Sequence, residues 1–251
     1  RGGGAAGPAA TEAPPKNLDW DMWCGPAPKR PFTTRVHPGG WRNYLDYSNG
    51  TLGDWGAHWL DQVLWWNGGV SPKRIFCTGG RPIRGPVVLN DREQTSDVPD
   101  HQVATYEFDN FTCVWEHRLF GDNNPEKHKI GAYFYGTKGA LHIGWRDGWT
   151  FYPSNRGDRG AHEDSQLQEP DGHNIKLLWA DFLEAIDSGR APVAGIEQAH
   201  RSNVLPLLGM ISWKVGRSIQ WDATKEEIVG DPEANRLQGR PYRAPWIYPT
   251  V

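Results

Sequence analysis

Apolar residues follow two rhythms along the chain, and the change of rhythm separates helices from strands. Leu52, Trp55, Trp59, Val63 and Trp66 step by three or four, the spacing of one helical face. Gly68–Gly69 closes that run, so a helix is predicted over 51–67. From about 70 to 154 the pattern breaks into short segments: Arg74–Thr78, Gln102–Asp109, Phe111–Leu119, Ile130–Tyr135, Ala140–Trp145 and Trp149–Tyr152. Asp109–Asn110 and Gly136-Thr137-Lys138-Gly139 read as hairpin turns between them, which makes the pairing mostly antiparallel. The helical rhythm then returns in Ile175, Leu178, Trp179, Phe182, Ala185 and Ile186, with Asp171 before it and Gly189 after it. A third helix is predicted over 196–217 on Val204, Leu207, Leu208, Ile211 and Val215; Pro206 either bends it or marks its first turn. A short strand follows at 218–221. Strands followed by helices predict an α+β fold: a large, mostly antiparallel (mixed) sheet with helices packed on one face.

Other segments carry no rhythm. Residues 1–16 lack aromatics and read as a flexible linker, leaving 17–251 as the α+β domain. The linker holds a formal G-x-G-x-x-G at Gly2, Gly4 and Gly7, but no strand pattern precedes it and Pro8 follows, so it is not a dinucleotide loop. Residues 17–47 read as an extended aromatic segment, with helix barred by Pro26, Pro28, Pro31 and Pro38. The stretches 79–100 and 153–172 are long polar loops, the second bearing Arg156, Arg159 and His162.

Composition narrows the function classes. The 251 residues carry 27 Lys and Arg against 30 Asp and Glu, a net charge of −3, which excludes a nucleic-acid binder working by bulk basicity. No apolar run is long enough to span a membrane. Gly (30) and Pro (20) are abundant and Trp numbers 14, so loops held by aromatic anchors are expected. Cys24, Cys77 and Cys113 form no C-x-x-C pair; packed free thiols are expected, with a Cys24–Cys77 or Cys77–Cys113 disulfide left open. The chain starts at Arg1 and reads as a processed product, a fragment or the downstream part of something larger.

Candidate chemistry centres on the helix at 51–67. Asp54, His58 and Asp61 stand at i, i+4 and i+7, within about 60° of one another around the helix. A carboxylate one turn from an imidazole can orient it and raise its basicity, the pairing of a general base. Gly53, Gly56 and Ala57 leave another face bare enough for close approach. The competing readings are a solvated surface helix and a divalent-metal site, and the second lacks another histidine at helical spacing, so no metal is expected.

The stretches LDWDMWCGPAPKRPF, HPGGWRNYLDY, GTLGDWGAHWLD, YGTKGALHI, GHNIKLLWADFLEAIDSGRAP and DPEANRLQGRPYRAPW resemble, in order, the C-terminal domain of the glucose–fructose oxidoreductase/inositol dehydrogenase/MocA family of sugar and polyol dehydrogenases. The resemblance spans about 17–248. It implies an NAD or NADP cofactor held mainly by a Rossmann domain that is not in this chain. It implies Asp54 and His58 as catalytic residues; the family's Glu-Lys-Pro lysine has no counterpart, since Glu126-Lys127 is followed by His128. His58 would take the hydroxyl proton of a sugar, glycoside or polyol, oriented by Asp54. Trp41, Arg42, Tyr47, Asp61 and His173 are candidates for the substrate pocket, weighed against packing or surface roles. Partners implied are a small sugar or polyol, the missing Rossmann domain or its chain, and further copies of the chain in a homodimer or homotetramer joined through the sheet. A non-redox carbohydrate-binding or oligomerisation module, or a keto-sugar lyase, hydrolase or isomerase using the same pair, stays open. So does the compartment, bacterial cytoplasm or periplasm.

Overall fold

The computed structural model describes residues 7–121, 127–166 and 170–249, with backbone alone at 170–173. In chain order the elements are β1 (Ala9–Ala10), α1 (Trp20–Cys24), a 3₁₀ turn (Gly40–Asn43), α2 (Gly50–Trp66), β2 (Arg74–Gly80), β3 (Glu93–Gln94), β4 (His101–Glu107), β5 (Thr112–Arg118), β6 (Gly131–Gly136), β7 (Gly139–Gly144), β8 (Trp149–Pro153), β9 (Ala161–Glu163), α3 (Pro170–Ser188), α4 (Ile196–Val215), β10 (Ile219–Asp222), β11 (Glu227–Ile228) and α5 (Pro232–Arg236). The class is α+β with antiparallel sheets, as the rhythm predicts. Its strands are divided, however, and the chain forms two compact units, residues 1–120 with 200–251, and 121–199.

In the first unit a five-stranded sheet runs β11-β10-β2-β4-β5, every pair antiparallel. Ile75 on β2 and Tyr106 on β4 stand in register and are fully buried, as are Ile219 and Ile228 at the far end of the sheet. Helix α4 covers this sheet: Ser212 Oγ accepts from the Cys77 amide at 3.0 Å, and Trp213 Nε1 donates to the Gly79 carbonyl at 3.3 Å. Pro206 lies inside α4, buried, at neither the start nor an exposed bend. There it meets α2. A Cβ on Gly56 would stand 2.7 Å from the Pro206 Cβ, and one on Gly209 would stand 2.8 Å from the Leu52 side chain, so glycine sets the closeness of the two helices. At Gly56 the bare face of α2 is therefore filled by Pro206, while Gly53 and Ala57 remain partly exposed. The buried side of α2 is turned from the predicted stripe: Leu52, Trp59 and Val63 are buried, Gly56, Leu60 and Leu64 join them, and Trp66 is left out in solvent.

Two expectations for the N-terminal region are corrected. Residues 9–12 are docked, with β1 pairing antiparallel to β3 and the Thr11 and Glu12 amides donating to the Arg92 and Phe32 carbonyls. A pair of alanines carries too little pattern to announce a strand. Gly2 and Gly4 lie outside the described residues. The segment 17–47 is not wholly extended, because α1 forms just ahead of the first proline. Asp19 caps it by accepting from the Met22 amide at 3.0 Å, and Gly25, at φ +55°, turns the chain out of it. Around α1, Trp20, Cys24, Phe32, Val36 and Tyr44 form a buried cluster, with Trp23 stacked on Trp20 at 4.6 Å. All three cysteines are free. Burial raises the Cys77 thiol to about 12 and the Cys113 thiol to about 11, which marks them as packing groups.

The second unit is a four-stranded antiparallel meander, β6-β7-β8-β9, followed by α3. Lys138 sits in the two-residue turn between β6 and β7. The predicted loop at 153–172 contains β9, where His162 bonds Thr150 Oγ1 at 2.8 Å and Asp164 at 3.0 Å. Helix α3 departs from the expected packing. Ala185 is buried, but Ile175, Leu178, Trp179, Phe182 and Ile186 are exposed. An apolar stripe favours a helix, but covering it takes an apposed surface that periodicity does not supply. Among the described residues no helix is long and apolar enough to cross a membrane.

Candidate functional site

Four of the predicted site residues, Trp41, Arg42, Asp54 and His58, lie at or beside the N-terminal half of α2. Asp54 and His58 lie one turn apart there, and the 3₁₀ turn at Gly40–Asn43 brings Trp41 and Arg42 alongside. Arg42 Nε donates to both Asp54 carboxylate oxygens, at 3.1 and 3.3 Å. The same guanidinium lies over the Trp41 ring, 4.3 Å from its centroid. Asp54 thus directs its carboxylate at Arg42, and no hydrogen bond joins it to His58 among the described residues. His58 is exposed, with the Trp55 ring edge-on at 6.3 Å. The result is an open corner: an anchored carboxylate, a free imidazole one turn further on, and an indole backed by a guanidinium. Sugar rings stack on such aromatics through their C–H faces, and guanidinium groups hydrogen-bond their hydroxyls.

Three candidates are placed elsewhere. Tyr47 belongs to the α1 cluster, where its hydroxyl donates to the Pro28 carbonyl at 3.1 Å and accepts from the Arg30 amide at 3.4 Å. Burial, aided by the contact with the Cys24 thiol, raises its pKa well above the usual phenol value, so it serves the cluster as a neutral group. Asp61 accepts from Ser202 Oγ at 2.5 Å and ties α2 to α4. His173 lies on the first turns of α3, where only the backbone is described.

A cleft of about 720 Å³ opens beside the α1 cluster, lined by Leu18, Trp20, Lys29, Arg30, Phe32 and Asp91 among others, but by neither Asp54 nor His58. Two of its cations are already paired, Lys29 with Asp21 at 3.0 Å and Arg30 with Asp46 at 2.6 Å.

Sequence reading missed a polar cluster in the second unit. His128, on the loop before β6, places Nδ1 2.5 Å from Asp147 Oδ2 and stacks on the His142 ring at 3.6 Å between centroids. His142 on β7 is fully buried. Burial, with the neighbouring His128, lowers its pKa. Burial works against the Asp147 carboxylate, but the His128 hydrogen bond and its own backbone amide hold its pKa below the usual value.

The family model of the oxidoreductase-family C-terminal alpha/beta domain, of the glucose–fructose oxidoreductase/inositol dehydrogenase/MocA type, matches residues 6–248. The chain belongs to this family. No curated protein matches it. The fold of this oxidoreductase-family domain recurs in solved structures. An oxidoreductase domain protein from Kribbella flavida is 19% identical with a TM-score of 0.55, covering 80% of this chain and 55% of that one. A levoglucosan dehydrogenase in complex with NADH and L-sorbose is 17% identical with a TM-score of 0.57, covering 73% and 53%. The aldose–aldose oxidoreductase of Caulobacter crescentus, complexed with glycerol, is 17% identical with a TM-score of 0.53, covering 73% and 51%. At such identities the shared property is the fold. The oxidoreductase-family domain here spans about half the length of these solved relatives.

Proposed function

We propose that this chain is the substrate-binding and catalytic half of an NAD(P)-dependent oxidoreductase acting on a secondary hydroxyl of a sugar, glycoside or polyol. The observation that carries this reading is the Trp41–Arg42–Asp54 arrangement at the foot of the helix that exposes His58. Trp41 and Arg42 offer a sugar a face and hydrogen-bond donors. His58, exposed one turn further along the helix, is the group that would accept the hydroxyl proton. Asp54, held by Arg42, contributes negative charge one turn away and stabilises the imidazolium that results. Structures named as a levoglucosan dehydrogenase and an aldose–aldose oxidoreductase share the fold, which supports a carbohydrate substrate.

Among the described residues the nucleotide has no cradle. Among the described residues every strand pair is antiparallel, so no βαβ unit presents a helix N-terminus to a pyrophosphate. The reading for these residues therefore stops at the alcohol and its proton. Association through the sheet is supported by the exposed, mutually stacked Tyr133 and Tyr135 on β6, and light scattering checks it by a mass above that of one chain.

In the complete enzyme, His58→Ala is expected to lower kcat by about 10²- to 10⁴-fold while leaving sugar binding within severalfold. Full oxidation activity in that variant would end the assignment of His58 as base.

A further inference from the structure

We infer that His128, His142 and Asp147 form a binding site for one borderline divalent transition-metal ion, with Zn²⁺ the ion their donor set suits. Each offers one ligand atom, and the three atoms lie within 4.8 Å of one another. Two imidazole nitrogens and one carboxylate oxygen are the donors common to three-ligand zinc sites, with a solvent molecule in the fourth position.

Two independent features point to a ligand here. His142 is fully buried, yet neither of its ring nitrogens has a hydrogen-bond partner. A buried polar group without a partner is rare enough to need a reason, and a ligand arriving from the His128 side supplies one. Second, the backbone makes room for the donors. A Cβ on Gly131 would overlap His142 Nε2, and one on Gly144 would overlap the Asp147 carboxylate. Glycine at both places leaves the space that those two side chains occupy.

The surroundings fit as well. Tyr152 Oη lies 3.4 Å from His128 Nε2 and accepts from Lys127 at 3.0 Å, while the Tyr133 ring closes over His142 at 4.7 Å. The two imidazole rings lie face to face, 20° apart, so their in-plane lone pairs do not yet converge. His128 must turn out of the stack to ligate, exchanging its hydrogen bond to Asp147 for the ion. It stands half-buried on a loop, whereas His142 is locked in β7; the moving ligand is His128.

The test is titration of the metal-stripped full chain with Zn²⁺ by calorimetry, repeated with Co²⁺ followed by visible absorbance. One ion per chain is expected. His128→Gln, on the loop before β6, and Asp147→Asn, at an exposed position, should each weaken binding by about tenfold or more. His162→Ala, which removes an exposed imidazole paired with Asp164 in the same unit, should leave it unchanged. His142→Gln should abolish binding in a chain whose circular dichroism shows it folded. No equimolar Zn²⁺ binding, wild-type affinity in His128→Gln and Asp147→Asn, or an equal loss in His162→Ala would overturn the site.

Discussion

Arg42 and Asp54 make an ion pair whose value is positional. Their side chains are 53% and 29% exposed, and pairs in that setting contribute about 0–1 kcal/mol. Arg42→Gln is therefore expected to change the unfolding free energy by less than about 1 kcal/mol in urea. In the complete enzyme it should still lower kcat/KM at least tenfold, because Asp54 loses its anchor and the sugar loses a donor; equal wild-type kinetics would show that the pair is a surface ornament. His117 offers a pH-dependent counterpart. Burial, followed by the neighbouring His101, lowers its pKa to about 4, and its Nδ1 accepts from Trp115 Nε1 at 3.0 Å. The unfolded chain, with an ordinary histidine near 6.5, binds that proton first. Its contribution is complete above about pH 6.5 and is lost as pH falls toward 4, by up to about 3 kcal/mol. Urea unfolding across that range, with an NMR titration of the His117 ring, checks both the slope and its source.

Helices α2 and α4 show where periodicity ends. The spacing of Leu52, Trp55, Trp59, Val63 and Trp66 finds the helix and most of its length, but the observed buried side is centred elsewhere because Pro206 sits on Gly56. Glycine carries no hydrophobic signal, so a face built on its closeness is invisible to an apolar count. Gly56→Ala tests the contact. A methyl normally favours a helix by about 1 kcal/mol over glycine. Here its carbon would stand 2.7 Å from a rigid proline ring, well inside the roughly 3.5–4.0 Å of a carbon–carbon contact. Overpacking wins, and a net destabilisation of about 1–3 kcal/mol is expected in denaturant unfolding. Asp61 belongs to the same interface through Ser202, so Asp61→Ala should lower stability and leave sugar affinity within twofold if its role is to tie the helices. The His128–His142–Asp147 cluster was hidden for a related reason: its members come from a loop, a strand and a turn, and the β6–β7–β8 meander brings them together.

At the scale of the whole molecule, family membership and the all-antiparallel pairing divide the work of the proposed enzyme. The chain presents the Trp41–Arg42–Asp54 corner proposed to face the substrate and, among the described residues, no nucleotide cradle. NADH at micromolar concentration is accordingly expected to leave the tryptophan fluorescence of these 251 residues unchanged; clear saturable quenching would show a nucleotide site in this chain. The α+β class, the hairpin order and the places of α2, α3 and α4 were legible along the chain, because alternation, 3.6-residue spacing and turn residues are local properties that each segment carries with it. The placement of Asp54 and His58 one turn apart was legible for the same reason, both residues being on one helix; the hydrogen bond expected between them was not formed. Three-dimensional packing settled what remained. It turned the Asp54 carboxylate to Arg42 and drew Tyr47 into the α1 cluster. It also docked residues 9–12 on β3 and left the α3 stripe uncovered. Each of these depends on which distant surface lies opposite, and no residue encodes its opposite neighbour in its own spacing.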